Sequence, residues 1–271
     1  MSNHHVHQLM QALATGPAVL VSVDGVQGSG PREAGAWMAV LADDVINTIG
    51  GGNLEFQAID EARAMLGGAD AVTRRYPLGP SLGQCCGGVV HLRFERVTQA
   101  DIPALKQRLR ATFTPVALFG GGHVGKALIH VLGTLTFDVT WVDSRDEIFP
   151  PDVPFNVTCE HSDPVQAAVA DLPPGSHVLI MSFSHAEDLD VVAACLRRLR
   201  ERNDLPYIGL IGSKSKWATF RHRLEERGFT AGELARVTCP IGLRGITGKE
   251  PEVIAVSVAA QLLQAMPAGK P

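Results

Sequence analysis

No pair of cysteines in this 271-residue chain is spaced C-x-x-C, and no two histidines stand at zinc-finger spacing. Five cysteines is an odd number, so neither a secreted disulfide framework nor a structural zinc site is expected, and reduced thiols are. No apolar run approaches the length of a membrane span, and the N-terminal segment with His4, His5 and His7 has no apolar core of the kind a signal peptide carries. These features predict a cytoplasmic protein that neither crosses nor anchors to a membrane. The net charge is -4 and the pI about 6.2, so the global basic field that drives nucleic-acid binding is missing. Internal repeats, low-complexity segments and a serine- or cysteine-nucleophile signature are absent as well. A chain of this length that is 45% hydrophobic has enough apolar material for two packed domains.

The clearest boundary falls near Thr112 to Pro115, which divides the chain into residues 1–112 and 113–271. Beyond it, strand and helix signals alternate: Val116 to Phe119, a helix from His123, Val139 to Val142, a strand near Val157, then Val178 to Phe183, a helix over Asp188 to Arg202, Tyr207 to Ile211, and a helix over Lys216 to Arg227. Such alternation predicts an α/β fold with a doubly wound parallel sheet covered on both faces. Ser162-Asp163-Pro164 reads as a helix start, and Thr247 with Glu250 as a capping box for a last helix through Ala265. Before the boundary, helices are expected near His7 to Ala14 and Asn53 to Leu66, with strands at Ala18 to Val23, Trp37 to Leu41 and Val89 to Phe94. The basic residues Arg197 to Arg202, Lys214, Lys216, Arg221 and Arg223 are interleaved with Glu201, Glu225 and Glu226, which reads as solvated helix faces.

Gly120-x-Gly122-x-x-Gly125 lies between a predicted strand and a predicted helix, and Asp143 closes the next strand. Glycines at these positions let the backbone turn and approach a pyrophosphate on a helix N-terminus, and the acid accepts from a ribose hydroxyl, so NAD(P) or another nucleotide is one expected ligand. The alternative is a Rossmann-like domain that keeps the loop for packing. Arg145 reads as a solvated turn residue. His185 follows a strand at the carboxyl end of the sheet, where it is either an acid/base group or a polar residue opening a helix. In the first part, Gly28 to Gly35 with Arg32, and Gly50-Gly51-Gly52 leading into a helix, suit an anion. Each is also explained as a tight turn.

Gln84-Cys85-Cys86-Gly87-Gly88 places two adjacent thiols in a glycine-rich segment. Adjacent α-carbons lie about 3.8 Å apart, shorter than the roughly 4.4 to 6.8 Å of a disulfide. Two free thiols with closely approachable backbone suit a soft metal ligand or a sulfur nucleophile. Cys159 and Cys195 read as space-filling, while Cys239, before Pro240-Ile241-Gly242, stands in a loop that faces a cleft on one reading.

Taken together, Gly30 to Ala36, Gly50 to Gly52, Gly83 to Gly88, Gly120 to Gly125, Tyr207 to Ser213 and Cys239 to Leu243 resemble the xanthine dehydrogenase accessory protein family, XdhC/CoxI, over nearly the whole chain. The resemblance implies a small N-terminal α/β domain joined to a Rossmann-like domain. It further implies a protein that binds the molybdenum cofactor (molybdopterin) as cargo, protects it while a cysteine desulfurase supplies its sulfur, and delivers it to apo xanthine dehydrogenase or a related molybdenum hydroxylase. On that reading Arg32, Gly51 and Gly52 hold the phosphate, Cys85 or Cys86 meets the molybdenum end or relays sulfur, and a cofactor chaperone is favoured over a turnover enzyme. Many family members carry cysteine where this chain has Asn53. A homo-oligomer is expected only from the frequency of symmetric dimers. The competing reading is an NAD(P)-dependent oxidoreductase with His185 as acid/base.

Overall fold

The computed structural model describes residues 3–79, 88–110 and 113–266. The chain forms two compact units, Met1–Ala111 and Thr112–Lys270.

The first unit runs α1 (Asn3–Leu13), β1 (Ala18–Gln27), β2 (Trp37–Val40), β3 (Val45–Asn47), α2 (Gly52–Met65), β4 (Val72–Pro77), β5 (Val89–Val97) and α3 (Ile102–Arg110). Its strands form one antiparallel sheet in the order β3-β2-β1-β5-β4. Alternate residues of a strand share a face, and here Val19, Val21 and Val23 of β1 join Met38, Leu92 and Phe94 under α2. The helix meets them with Leu54, Ala58 and Ala62, a four-residue spacing that keeps one face on the sheet. Small alanines let it lie close. Full burial of each larger apolar side chain contributes about 1.5–3 kcal/mol.

The second unit runs β6 (Thr114–Phe119), α4 (His123–Leu132), β7 (Phe137–Asp143), β8 (Val157–His161), β9 (His177–Ile180), α5 (His185–Arg202), β10 (Tyr207–Leu210), α6 (Lys214–Glu226), α7 (Ala231–Leu234), β11 (Val237–Thr238) and α8 (Pro251–Ala265). All six strands are parallel, in the order β11-β10-β9-β6-β7-β8. Counted within the unit this is 3-2-1-4-5-6, the doubly wound dinucleotide-fold order, with its reversal between β6 and β9. In β6, Val116 and Leu118 face α4 and α8, while Ala117 and Phe119 face α5 and α6. The expected doubly wound sheet is present, and the fold is mixed α/β.

Three local expectations fail. The segment after Pro164 is a 3-10 helix, Val165–Asp171, with Pro164 outside it as an extended N-cap instead of at its first position. The last helix begins with Pro251 as its first-turn residue and Glu250 as an N-cap without a side-chain bond, so Thr247 caps nothing. The basic run is not uniformly solvated. Arg198 is 5% exposed, forked on Asp204 at 2.7 and 2.9 Å and donating to the carbonyls of Val169 and Leu172. It ties α5 to the end of the 3-10 helix, where unbonded carbonyls need donors. Lys216 is the other exception, described below. No helix among the described residues is long and apolar enough to cross a membrane.

Candidate functional site

Residues 120–125 turn β6 into α4, and two of the three predicted glycines have a steric reason to lack a side chain. Gly120 has φ +122, and a Cβ there meets the Met181 carbonyl oxygen at 2.0 Å. A Cβ on Gly125 meets the Gly120 oxygen at 2.1 Å, so this glycine lets helix and strand touch. At Gly122 nothing lies within 4 Å. Gly122 is also the N-cap of α4 and has no side-chain bond, which leaves an open backbone surface at a helix N-terminus, as anion approach requires.

Asp143 ends β7 beside this loop and is 1% exposed. Its Oδ2 accepts from the Gly121 N–H at 2.6 Å and from Arg145 Nη2 at 2.9 Å. Oδ1 accepts from the Arg145 N–H at 2.9 Å and from Arg145 Nε at 2.8 Å. A carboxylate offers about four acceptor positions, so Asp143 is saturated within the chain. Burial pushes its carboxyl pKa up, but the bonds from Arg145 and Gly121 outweigh that and hold it below the ordinary value. Arg145 is therefore not the solvated turn residue expected. Its guanidinium also lies 4.3 Å over the ring of Phe183, which is 66% exposed. Glu187 accepts from Ser144 Oγ at 2.7 Å and from the Phe183 N–H at 3.1 Å. The loops that leave β7 and β9, the two strands flanking β6, are thus joined at the carboxyl edge of the sheet.

His185 is the first residue of α5, behind the Ser184 N-cap. It lines a shallow cavity of about 370 Å³ with Ser213, Lys216, Phe220 and Arg223, its ring edge-on to Phe220 at 6.2 Å. The structure places a pair there that the sequence reading missed: Lys216, 11% exposed, donates to Asp188 Oδ2 at 2.6 Å and to the Ile211 carbonyl at 2.8 Å. Asp188 Oδ1 accepts from the Ser182 N–H at 2.7 Å. The first-turn acid after a strand end was the one available signal. Cys239 stands near this pair, and burial pushes its thiol up to about 11 against the pull of Lys216. Cys195 is fully buried, with its thiol pushed up to about 12.

In the first unit, the two glycine loops come together. A Cβ on Gly50 meets Pro31 Cβ at 2.5 Å and Arg32 Cγ at 3.3 Å, and Arg32 Nη1 donates to the Thr48 carbonyl at 3.5 Å. Arg32 also pairs with Glu33 at 3.3 Å. Gly50, Gly51 and Gly52 all have positive φ. The N–H groups of Ile49 and Gly51 donate to Glu55 Oε2 at 3.0 and 3.1 Å, so a carboxylate of α2 already occupies this cradle. Glu55 is a further residue the reading missed. Gly88, just past the thiol segment, packs on the carbonyls of Ser29 and Gln27. Cys85 and Cys86, expected as metal or sulfur ligands, lie outside the described residues. Among the described residues no cluster of histidine, cysteine and acidic side chains has the makings of a metal site.

These features define a Rossmann-type unit joined to a smaller α/β unit with paired glycine loops. The chain belongs to the XdhC and CoxI family: the family profile matches residues 12–77, and that of the XdhC Rossmann domain matches residues 116–262. The Escherichia coli (strain K12) protein named uncharacterized protein YqeB is 29% identical over 266 residues, covering 92% of this chain. The chain spans 43% of that relative's length. The crystal structure of a xanthine dehydrogenase from Bacillus halodurans is similar in fold, with a TM-score of 0.68 over 100% of this chain and 98% of that one at 21% identity. A Rossmann-fold NAD(P)-binding family protein from Shigella flexneri aligns with 54% of this chain and 85% of its own at 14% identity, with a TM-score of only 0.38.

Proposed function

We propose that this chain is an accessory protein in the maturation of a molybdenum hydroxylase such as xanthine dehydrogenase. It binds the molybdenum cofactor as cargo, shields it while a cysteine desulfurase supplies the terminal sulfur, and delivers it to the apoenzyme. The observation that carries this reading is the match of the XdhC and CoxI family to the first unit and of the XdhC Rossmann domain to the second. The state of Asp143 supports it from another direction. An NAD-dependent enzyme uses that acid for a ribose hydroxyl, whereas here Arg145 and the Gly121 N–H fill its acceptor positions. Arg32 and the Gly50–Gly52 loop, brought together in the first unit, are the groups assigned to the cargo phosphate, with Glu55 displaced from the loop when it binds. Cys85 and Cys86 are assigned to the molybdenum end or to sulfur relay.

The oxidoreductase reading keeps one observation in its favour, the open backbone at Gly122 on the α4 N-terminus. One experiment separates the two. Purified full-length protein is loaded with molybdenum cofactor, washed, assayed for retained molybdopterin, and added to a cofactor-free xanthine dehydrogenase. Retention followed by a gain in dehydrogenase activity supports the accessory role. Absence of both, together with turnover of NAD(H), overturns it.

A further inference from the structure

A cleft of about 1080 Å³ in the second unit lies between α8 and the irregular segment 239–250 that follows β11, and no residue of the glycine loop lines it. It opens beyond the carboxyl end of β11, the outermost strand on that side of the sheet. Its floor is pinned. Gln261 Oε1 of α8 accepts from the Gly242 N–H and from Tyr207 Oη, both at 2.7 Å, and the N–H groups of Ile241 and Leu243 donate to the Leu210 and Ser257 carbonyls. Gly242, Gly245 and Gly248 all have positive φ, so the segment holds a shape most side chains oppose. Residues 244–248 make no hydrogen bond among the described residues, and their backbone donors are free.

The wall chemistry has one sign. Lys214 and Arg244 line the cleft and no acidic residue does; the nearby Glu250 sits behind Gly248, outside the lining. Neither cation has an ion-pair partner among the described residues, unlike Arg145, Arg198, Arg200, Lys216 and Arg227 of the same unit. Ile241, Val253 and Ile254 supply an apolar wall, and Ile246 stands there 43% exposed. Small-molecule sites combine an apolar wall with a few convergent polar groups in about 300–1,000 Å³. Two unpaired cations suit a dianion, because each becomes a charge-assisted donor.

We propose that this cleft binds a phosphorylated, ring-bearing small molecule of nucleotide size, its phosphate held by Lys214 and Arg244 and its ring against Ile241 and Ile254. The site is distinct from the glycine loop and stands whether or not the accessory role does. Cys239 lines the same cleft and reports its occupancy.

The test uses the full-length protein with adenosine monophosphate and a phosphorylated pterin as probes. Binding is measured by calorimetry, and Cys239 alkylation by iodoacetamide at alkaline pH is mapped by mass spectrometry. At a probe concentration about ten times Kd, alkylation of Cys239 slows about tenfold while that of Cys159 does not change. In the exposed-site double variant Lys214→Ala/Arg244→Ala, affinity falls about 100-fold, roughly tenfold per charged contact, and the protection disappears. If neither probe binds, or if the double variant binds and protects as the parent does, the proposal is overturned.

Discussion

Arg145 spans both carboxylate oxygens of Asp143, through Nε at 2.8 Å and Nη2 at 2.9 Å. The glycine spacing assigns that acid to a ribose, and the geometry gives it to a side chain two residues away. Removing the guanidinium returns two acceptor positions to the loop. The Arg145→Ala variant is therefore expected to bind NADH at least about tenfold more tightly than the parent, the worth of one hydrogen bond to a charged group. Fluorescence titration of both proteins checks this, and equal affinities mean that the clamp does not govern the site.

The same carboxylate makes stability depend on acid. Its folded pKa lies below the ordinary value, so its ionised form contributes stability above the unfolded value of about 3.9, and that contribution fades as pH falls through the lower folded value. Asp143→Asn removes the ionisation. Urea denaturation of parent and variant should show a gap that is constant from pH 7 to about pH 5 and closes below pH 4. A gap as wide at pH 3 as at pH 7 means that the charge of Asp143 contributes nothing.

The glycines of the loop separate packing from approach. Gly125→Ala drives a methyl group to 2.1 Å from the Gly120 oxygen, a backbone atom that has little freedom to yield, and costs about 3 kcal/mol or more. Gly122→Ala has φ -68 and open space around it, so it costs only the N-cap preference of glycine over alanine, about 1 kcal/mol or less. Only the second tests function: it leaves the fold intact and puts a methyl group on the open backbone at the α4 N-terminus. Thermal melts of the two variants, read beside retention of molybdenum cofactor, distinguish a loop kept for packing from one kept for binding.

Much of the second unit was legible because continuous apolar runs open its βα units. Val116 to Phe119, with Val139, Trp141 and Val142, are buried and need no partner to identify them. Of the edge strands only β8 was legible, as the strand near Val157. β4 is Val-Thr-Arg-Arg-Tyr-Pro and largely exposed, so its pairing with β5 is made by backbone groups that every residue carries, and β11 is two residues long. The site was legible in its glycines, whose roles follow from having no side chain. It was not legible in Glu55, Asp188, Lys216 and Arg145, each of which reads from the sequence as a surface charge. Their functions arise from where a long or charged side chain reaches, and periodicity carries no information about that. Asp143 marks the limit: spacing located it, and only the guanidinium lying on it shows how it is used.

Cys85 and Cys86 are neighbours, and successive side chains of an extended segment point to opposite faces. If a soft metal end or a transferred sulfur atom meets this segment, one thiol faces it and the other faces away. Cys85→Ser and Cys86→Ser made singly should then behave unequally. One loses most cofactor retention and most activation of the apo hydroxylase, and the other stays within about twofold of the parent, as a serine that makes no functional contact should. The measurement is molybdopterin retained after gel filtration, followed by activity of the recipient enzyme. Equal losses in both single variants point to a shared role, such as a two-thiol ligand. A double variant that retains and delivers cofactor as the parent does removes the thiols from the function altogether and shifts the burden to Arg32 and the loop beside it.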